Sequence, residues 1–277
     1  MIPAMDTPTP DPAGAFAALM DRHRSIRAYR PDPLPAGLVD TVLVQALQGG
    51  SSSGNLNLVS VVKTQDAERR RALWALHGEQ DMILQAPLVL TFCADSHRTR
   101  TWLAQRGARL GFADLVSWHT AAFDAMILSQ TAALAFESHG LGICYMGTTL
   151  FAMRGIAELL ELPDNVLPVT SLVVGWPAEA PAQRDRLPAT AWIHDERYLK
   201  PTPARIDADF AQREVRGRDR YLSFSPEMAA RWQAHGITSL AQYYTSPLKY
   251  DPDLFAGFSA DIEALLAERG WRRRPGE

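Results

Sequence analysis

Cysteine is scarce. The chain of 277 residues has two, Cys93 and Cys144. Both sit in apolar surroundings and neither belongs to a CxxC pair. The sequence therefore offers no disulfide framework and no cysteine-built zinc site, and it suits a reducing compartment. Among the seven histidines no two stand three to five residues apart, which leaves a histidine-based metal site without support. Positive charge is not in excess either: the formal net charge is -3, against a broad nucleic-acid-binding face. No apolar run is long enough to span a membrane. The least polar stretch, around 121–136, is interrupted by Asp124, Ser129 and Gln130. The opening MIPAMDTPTPDPAG has neither a basic start nor an apolar core, so residues 1–13 read as a loose tail rather than a secretory signal. Walker A, GxSxG and HExxH strings are missing, which removes the commonest nucleotide, hydrolase and zinc readings. Gly140-Leu141-Gly142 closes a helix and lacks a third glycine, so it is not a dinucleotide fingerprint. What remains is an ordinary globular composition, 47% hydrophobic and 21% charged, with the cytoplasm as the expected location.

The most distinctive stretch present is Arg22-His23-Arg24-Ser25-Ile26-Arg27-Ala28-Tyr29-Arg30. It holds four arginines, a histidine and a serine in nine residues. Guanidinium forks beside a hydroxyl suit a phosphate monoester, because charge-assisted bonds are short and can be bidentate. A short helix or turn here would aim Arg24, Ser25 and Arg27 at one point. Alone, the string better describes a solvated basic turn. A second cationic pair, Arg184 and Arg186, follows a Pro-rich segment far along the chain.

Apolar spacing predicts helices over 14–22, 38–47, 66–76, 112–138, 152–161, 205–244 and 251–269, and strands over 58–62, 87–93 and 166–177. The helix over 112–138 is apolar or small on nearly every face, so it needs a large core or an oligomer interface. Between the second helix and the first strand lies Ser51-Ser52-Ser53-Gly54-Asn55-Leu56-Asn57. That segment reads equally as a flexible loop or as a ligand-binding one.

Four motifs in order carry a resemblance: HRSIR at 23–27, SSSGNLN at 51–57, GLGICYMG at 140–147 and GWPAEAPAQRDRLP at 175–188. Together they resemble the flavin-dependent nitroreductase family, in its larger branch of oxygen-insensitive NADPH nitroreductases and flavin reductases. The resemblance covers about residues 16–196 and fades beyond. It implies an α+β, nitroreductase-like fold. In it a central mixed, mostly antiparallel sheet is surrounded by helices and followed by a helical C-terminal extension. The implied organisation is an FMN-binding domain over 14–196 and an extension over 197–277, packed on the core or on a partner subunit. Carried over residue by residue, it implies that His23, Arg24, Ser25 and Arg27 hold the ribityl and phosphate end of FMN, with Arg184 and Arg186 closing on the same phosphate. Ser52, Ser53 and Asn55 would line the ribityl chain and ring edge. Gln80 would bond the ring, and Tyr145, Met146 and Gly147 would lie against it. Three positions depart from the family pattern: Asn57 where glutamine is frequent, and Ile143 and Thr148 where glycine is.

The function implied is transfer of two electrons from NAD(P)H, with NADPH favoured, to a nitroarene, quinone or free flavin by a ping-pong route. FMN carries the chemistry, so no catalytic side chain is assigned. A homodimer is implied, and neither a metal, nor nucleic acid, nor a membrane is expected as a partner. The arginines at 213, 216, 218 and 220 are candidates for the NADPH phosphate or for a solvated helix face. Two other readings stay open: a flavin-binding carrier or redox sensor without fast turnover, and a same-fold enzyme of different chemistry such as reductive dehalogenation. A nucleic-acid contact by the 213–220 arginines is opposed by the acidic total and the lack of interleaved aromatics.

Overall fold

The computed structural model describes residues 11–272, so most of the tail expected over 1–13 lies outside the described residues. The chain divides into two compact units. The first runs to Gln183 and resumes at Ile262; the second is Arg184–Asp261.

In chain order the first unit contains α1 (Pro12–Arg22), α2 (Leu38–Gly49), β1 (Val59–Thr64), α3 (Ala67–Leu76), α4 (Met82–Gln85), β2 (Leu88–Asp95), α5 (His97–Gln105), α6 (Leu115–Ser138), β3 (Gly142–Met146), α7 (Met153–Leu159) and β4 (Val166–Gly175). Carboxylate caps set several helix starts. Asp11 accepts from Ala13 N–H with Pro12 opening α1, two residues earlier than periodicity indicated. Asp66 caps α3 and Asp114 caps α6 in the same way.

The sheet has the order β1-β2-β4-β3, and every strand pair in it is antiparallel. The parallel element of the expected mixed sheet is a single bridge, Ser25 to Ile143. β2 is buried along its whole length, and its side chains alternate between two cores, as strand periodicity requires. Leu88, Leu90 and Phe92 join Val42, Ala125, Ala132 and Phe136 of α2 and α6. Val89 and Cys93 join Leu73, Ile83, Trp118, Leu265 and Trp271 on the other face. Alternation lapses where Cys93 and Ala94 fall in the same core. The β2–β4 register shifts between Phe92 and Cys93, skipping from Thr170 to Pro168. A proline without an N–H is tolerated at such a bulge.

In the second unit α8 (Pro203–Leu222), α9 (Met228–Ala234) and α10 (Leu240–Tyr244) replace the single helix expected over 205–244. Left-handed Gly236 (φ 64°) stops α9. These helices enclose a small aromatic core of Tyr221, Trp232, Ile237, Leu240 and Tyr243. α11 (Pro252–Glu268) begins in this unit and its last turns belong to the first. There Leu265 and Leu266, with Trp271 just beyond, are buried, and Trp271 meets Trp118 edge-on at 5.4 Å.

Candidate functional site

The basic stretch is neither helix nor turn. α1 ends at His23, whose N–H bonds Met20 O, and the chain then runs extended. Its amides are recruited by neighbours: Ile26 N–H donates to Ile143 O at 2.9 Å and Arg30 N–H to Trp176 O at 2.9 Å. The helix or turn expected to aim Arg24, Ser25 and Arg27 at one point is therefore absent; on the extended chain Ser25 and Arg27 leave on one face and Arg24 on the other. Arg24 turns back, its Nε bonding Arg22 O at 2.9 Å and its Nη1 bonding Pro181 O at 3.1 Å. Arg27 is exposed. Its N–H and that of Ala28 both donate to Glu179 Oε1, the latter at 3.1 Å. Among the described residues, neither the Arg24 nor the Arg27 guanidinium makes an ion pair. Beneath the segment Tyr29 is buried, its hydroxyl donating to Ile26 O at 2.8 Å. Burial is the main reason its phenol is strongly disfavoured from ionising.

β3 brings the third motif alongside the first. Gly142 is required at this crossing, since a Cβ there would lie 2.7 Å from Ile26 Cγ1 and 2.9 Å from Ile26 Cβ. Ile143 and Met146 are buried, Tyr145 is half-buried and Gly147 is exposed, with open space where a side chain would stand. Tyr145 Oη donates to Ser129 Oγ at 3.2 Å and lies 3.3 Å from Gln130 Oε1. Burial pushes its pKa up, with the Ser129 bond opposing and the Glu137 charge assisting. Gln80 is fixed beside the turn after β3: its Nε2 donates to His77 O at 3.0 Å and reaches Thr148 Oγ1 at 3.5 Å. Thr148 also meets His77 Nδ1 at 2.8 Å. Burial lowers the pKa of His77 to about 4, so the ring is neutral at neutral pH.

The serine-rich loop has a defined, hydrogen-bonded conformation. Its backbone is left-handed at Gly54 (φ 57°), Asn55 (φ 55°) and Asn57 (φ 51°), a conformation glycine and asparagine accept most readily. Asp124 of α6 holds it in place. One carboxylate accepts from Ser52 Oγ at 2.6 Å, Ser53 N–H at 3.2 Å and Leu58 N–H at 3.0 Å. Ser52 Oγ in turn accepts from Asn57 N–H at 2.8 Å, so this hydroxyl is committed within the loop. Ser53 and Asn55 are exposed. Asn57 spends its amide on Asn55 O, at 2.9 Å.

Sequence reasoning missed Asp124 as a site residue, and it missed Glu137 and Glu179 altogether. Asp124 and Glu137 are both buried in a helix that is otherwise apolar or small on its inner face. A buried carboxylate needs paired donors, and that was the available signal. Glu137 Oε1 and Oε2 lie 2.9 and 3.0 Å from His23 Nδ1. Arg184 and Arg186 belong to the second unit, where Arg186 Nη1 bonds Arg184 O at 3.1 Å and Asp185 O at 3.2 Å. Of the candidate nicotinamide contacts, Arg213 pairs with Asp185 at 3.4 Å and Arg218 with Asp219 at 3.3 Å. Arg220 lies over the Tyr221 ring at 4.7 Å.

Comparison with known proteins bears on the same segments. The family model described as "Nitroreductase family" matches residues 20–176, more than half of the chain and all the site segments of the first unit except the loop that carries Glu179. The chain is 39% identical over 179 residues to "FMN reductase [NAD(P)H]" of Bacillus subtilis, covering 64% of this chain and 72% of that one. To "Oxygen-insensitive NADPH nitroreductase" of Salmonella typhimurium it is 34% identical over 180 residues, 65% and 73% of the two chains. A solved structure, NfrA2 of B. megaterium, superposes with a TM-score of 0.78 at 30% identity, over 94% of this chain and 99% of that one.

Proposed function

Because the chain belongs to the nitroreductase family, we propose that it is an FMN-dependent oxidoreductase passing two electrons from NAD(P)H to a nitroarene, quinone or free flavin in ping-pong fashion. The observation that carries the proposal is the 23–27 segment. It holds two guanidiniums with no carboxylate partner among the described residues, on a backbone pinned to β3. Uncompensated guanidiniums beside a hydroxyl and an imidazole fit a phosphate monoester. An exposed, side-chain-free Gly147 at the end of the same strand leaves room for a planar ring.

When bound, FMN supplies the two-electron relay between donor and acceptor. The chain's own contribution is binding and orientation. His23, Arg24, Ser25 and Arg27 hold the polar tail. Ser52, Ser53 and Asn55 line the ribityl chain, on a loop that Asp124 keeps rigid. Gln80, Tyr145, Met146 and Gly147 border the ring, Met146 through its backbone because its side chain is buried. NADPH is the favoured donor, on the analogy of the Salmonella relative's name.

The same reading makes the protein a homodimer. α6 leaves Val116, Phe123, Met126 and Ile127 exposed, and α2 leaves Val44 and Leu47. A two-fold interface is the commonest cover for such a face. A cytoplasmic location fits two buried, unpaired cysteines, and no helix among the described residues is long and apolar enough to cross a membrane.

Purified protein is expected to be yellow, and anaerobic NADPH is expected to bleach it. Colourless protein that FMN cannot reconstitute refutes the proposal. Sedimentation of a stable, FMN-loaded monomer removes the dimer alone.

A further inference from the structure

Glu137 is a carboxylate in an unfavourable place. It occupies the last turn of α6, where the helix dipole already places about half a negative charge, and its side chain is only 9% exposed. Nothing among the described residues neutralises it except His23. Both carboxylate oxygens lie within hydrogen-bond reach of the same ring nitrogen, Nδ1, at 2.9 and 3.0 Å. An ionised carboxylate only accepts, so Nδ1 carries a proton. The second ring nitrogen, Nε2, has no hydrogen-bond partner among the described residues, and the ring is partly exposed. The backbone of His23 is fastened as well, its N–H on Met20 O and its carbonyl reached by Gln183 Nε2 at 3.5 Å. The imidazole is thus fixed at backbone and Nδ1, with Nε2 left to address a ligand beside Arg24, Ser25 and Arg27.

We infer that Glu137 is a positioning residue that acts through His23, fixing its tautomer and ring orientation so that Nε2 meets the oxygen-rich tail of the flavin cofactor. The inference rests on the FMN reading above. The tail offers two kinds of oxygen, and each needs its own form of His23: with Nδ1 protonated, a bare Nε2 accepts from a ribityl hydroxyl, and a protonated Nε2 donates to the phosphate. Glu137 itself touches no cofactor atom.

The test measures binding of three flavins to apoprotein by fluorescence quenching: FMN, riboflavin (no phosphate) and lumiflavin (no ribityl chain or phosphate). In Glu137→Met, which keeps side-chain length and removes both acceptors, FMN binding is expected to weaken roughly tenfold, the scale of one charge-assisted hydrogen bond. Lumiflavin binding should stay unchanged. Riboflavin then reports the contact: unchanged affinity places Nε2 on the phosphate, and a parallel loss places it on a ribityl hydroxyl. In a His23→Ala background, Glu137→Met should cause no further loss of FMN. Glu137→Gln retains one acceptor and should show a smaller loss, which supplies the test if the methionine variant fails to fold. Equal weakening of all three flavins, or additive loss in the double variant, means a purely structural role and overturns the inference. So does unaltered FMN binding in both Glu137 variants. If wild-type protein binds none of the three flavins, the functional reading itself fails, and the inference with it.

Discussion

Replacing Asp124 by asparagine tests whether the serine-rich loop is a built part of the site. Asp124 is 3% exposed and accepts three hydrogen bonds, two on Oδ2 (Ser52 Oγ, Leu58 N–H) and one on Oδ1 (Ser53 N–H). Asparagine keeps one carbonyl oxygen. In its best orientation that oxygen stays where Oδ2 was, and the amide nitrogen then faces Ser53 N–H, donor against donor. One bond is lost and two lose their charge assistance. Hydrogen bonds to charged groups contribute about 1.5–3 kcal/mol and neutral ones about 0.5–1.5, so the lost and weakened bonds cost about 3.5–6 kcal/mol, reduced by the burial cost of the charge that asparagine no longer carries. Part of that loss is local. The non-glycine left-handed residues Asn55 and Asn57 hold strain of order 1 kcal/mol or more each, and a weakened clamp lets the loop relax. Urea unfolding followed by tryptophan fluorescence should show the lost stability, and hydrogen exchange should show faster opening at Ser53 and Leu58. An unfolding free energy within about 0.5 kcal/mol of wild type, the range of ordinary surface substitutions, with both amides still protected, refutes the reasoning.

Three further outcomes follow from the same geometry. Gly142→Ala forces a Cβ against Ile26, 2.7 Å from its Cγ1. It should cost about 1–3 kcal/mol of stability as an overpacked contact and reduce FMN retention on dialysis; wild-type values for both count against the crossing described here. Arg27→Ala should weaken FMN binding at least tenfold while leaving the melting temperature within a few degrees, because an exposed guanidinium without an ion pair adds little to folding; unchanged affinity removes Arg27 from the phosphate. His77 gives the chain an acid liability. Its folded pKa of about 4 lies below the ordinary imidazole value of 6.5, so between those values the unfolded chain binds more protons and stability falls as pH drops. The full window corresponds to roughly 3 kcal/mol. His77→Gln should flatten the decline in unfolding free energy between pH 6.5 and 4, and an unaltered slope disproves the assignment.

Much of the first unit was legible because its signals are local. α2 announces itself by apolar spacing, α3 by its charged face, and β2 and β4 by largely apolar runs that Thr91, Pro168, Thr170 and Ser171 interrupt. α5 was missed because His97–Gln105 carries no apolar stripe. It is held instead by side chains, such as Arg98 reaching Asn57 O at 2.8 Å and Val59 O at 2.9 Å. The breaks within 205–244 were legible and were overlooked: Ser223-Phe224-Ser225-Pro226 and His235-Gly236-Ile237-Thr238-Ser239 carry the proline, glycine and serine that stop helices. The site divides the same way. Segments whose backbone can approach a ligand have compact signatures, and HRSIR, SSSGNLN and GLGICYMG all show them. The residues that hold those segments do not. Asp124 is 72 positions from Ser52, Glu137 is 114 from His23, and Glu179 is 152 from Arg27. Separations of that size are set by the fold, and no local pattern encodes them. The 23–27 conformation was misjudged for the same reason, since distant strands claim its amides.

The burial of Leu265, Leu266 and Trp271 in the first unit bears on how the chain is made. During translation the sheet, α2 and α6 emerge long before the segment that seals one of their two faces. Until then Trp118 lacks the indole it packs against, and the Asn165 amide lacks the Arg269 carbonyl it finally bonds. A nascent chain halted before residue 262 therefore presents an unsealed apolar face, the kind of surface that holdase chaperones bind. Native packing of this unit waits until residues 262–271 have been made, and a truncation that removes Trp271 should lower the yield of soluble protein before it alters any ligand contact.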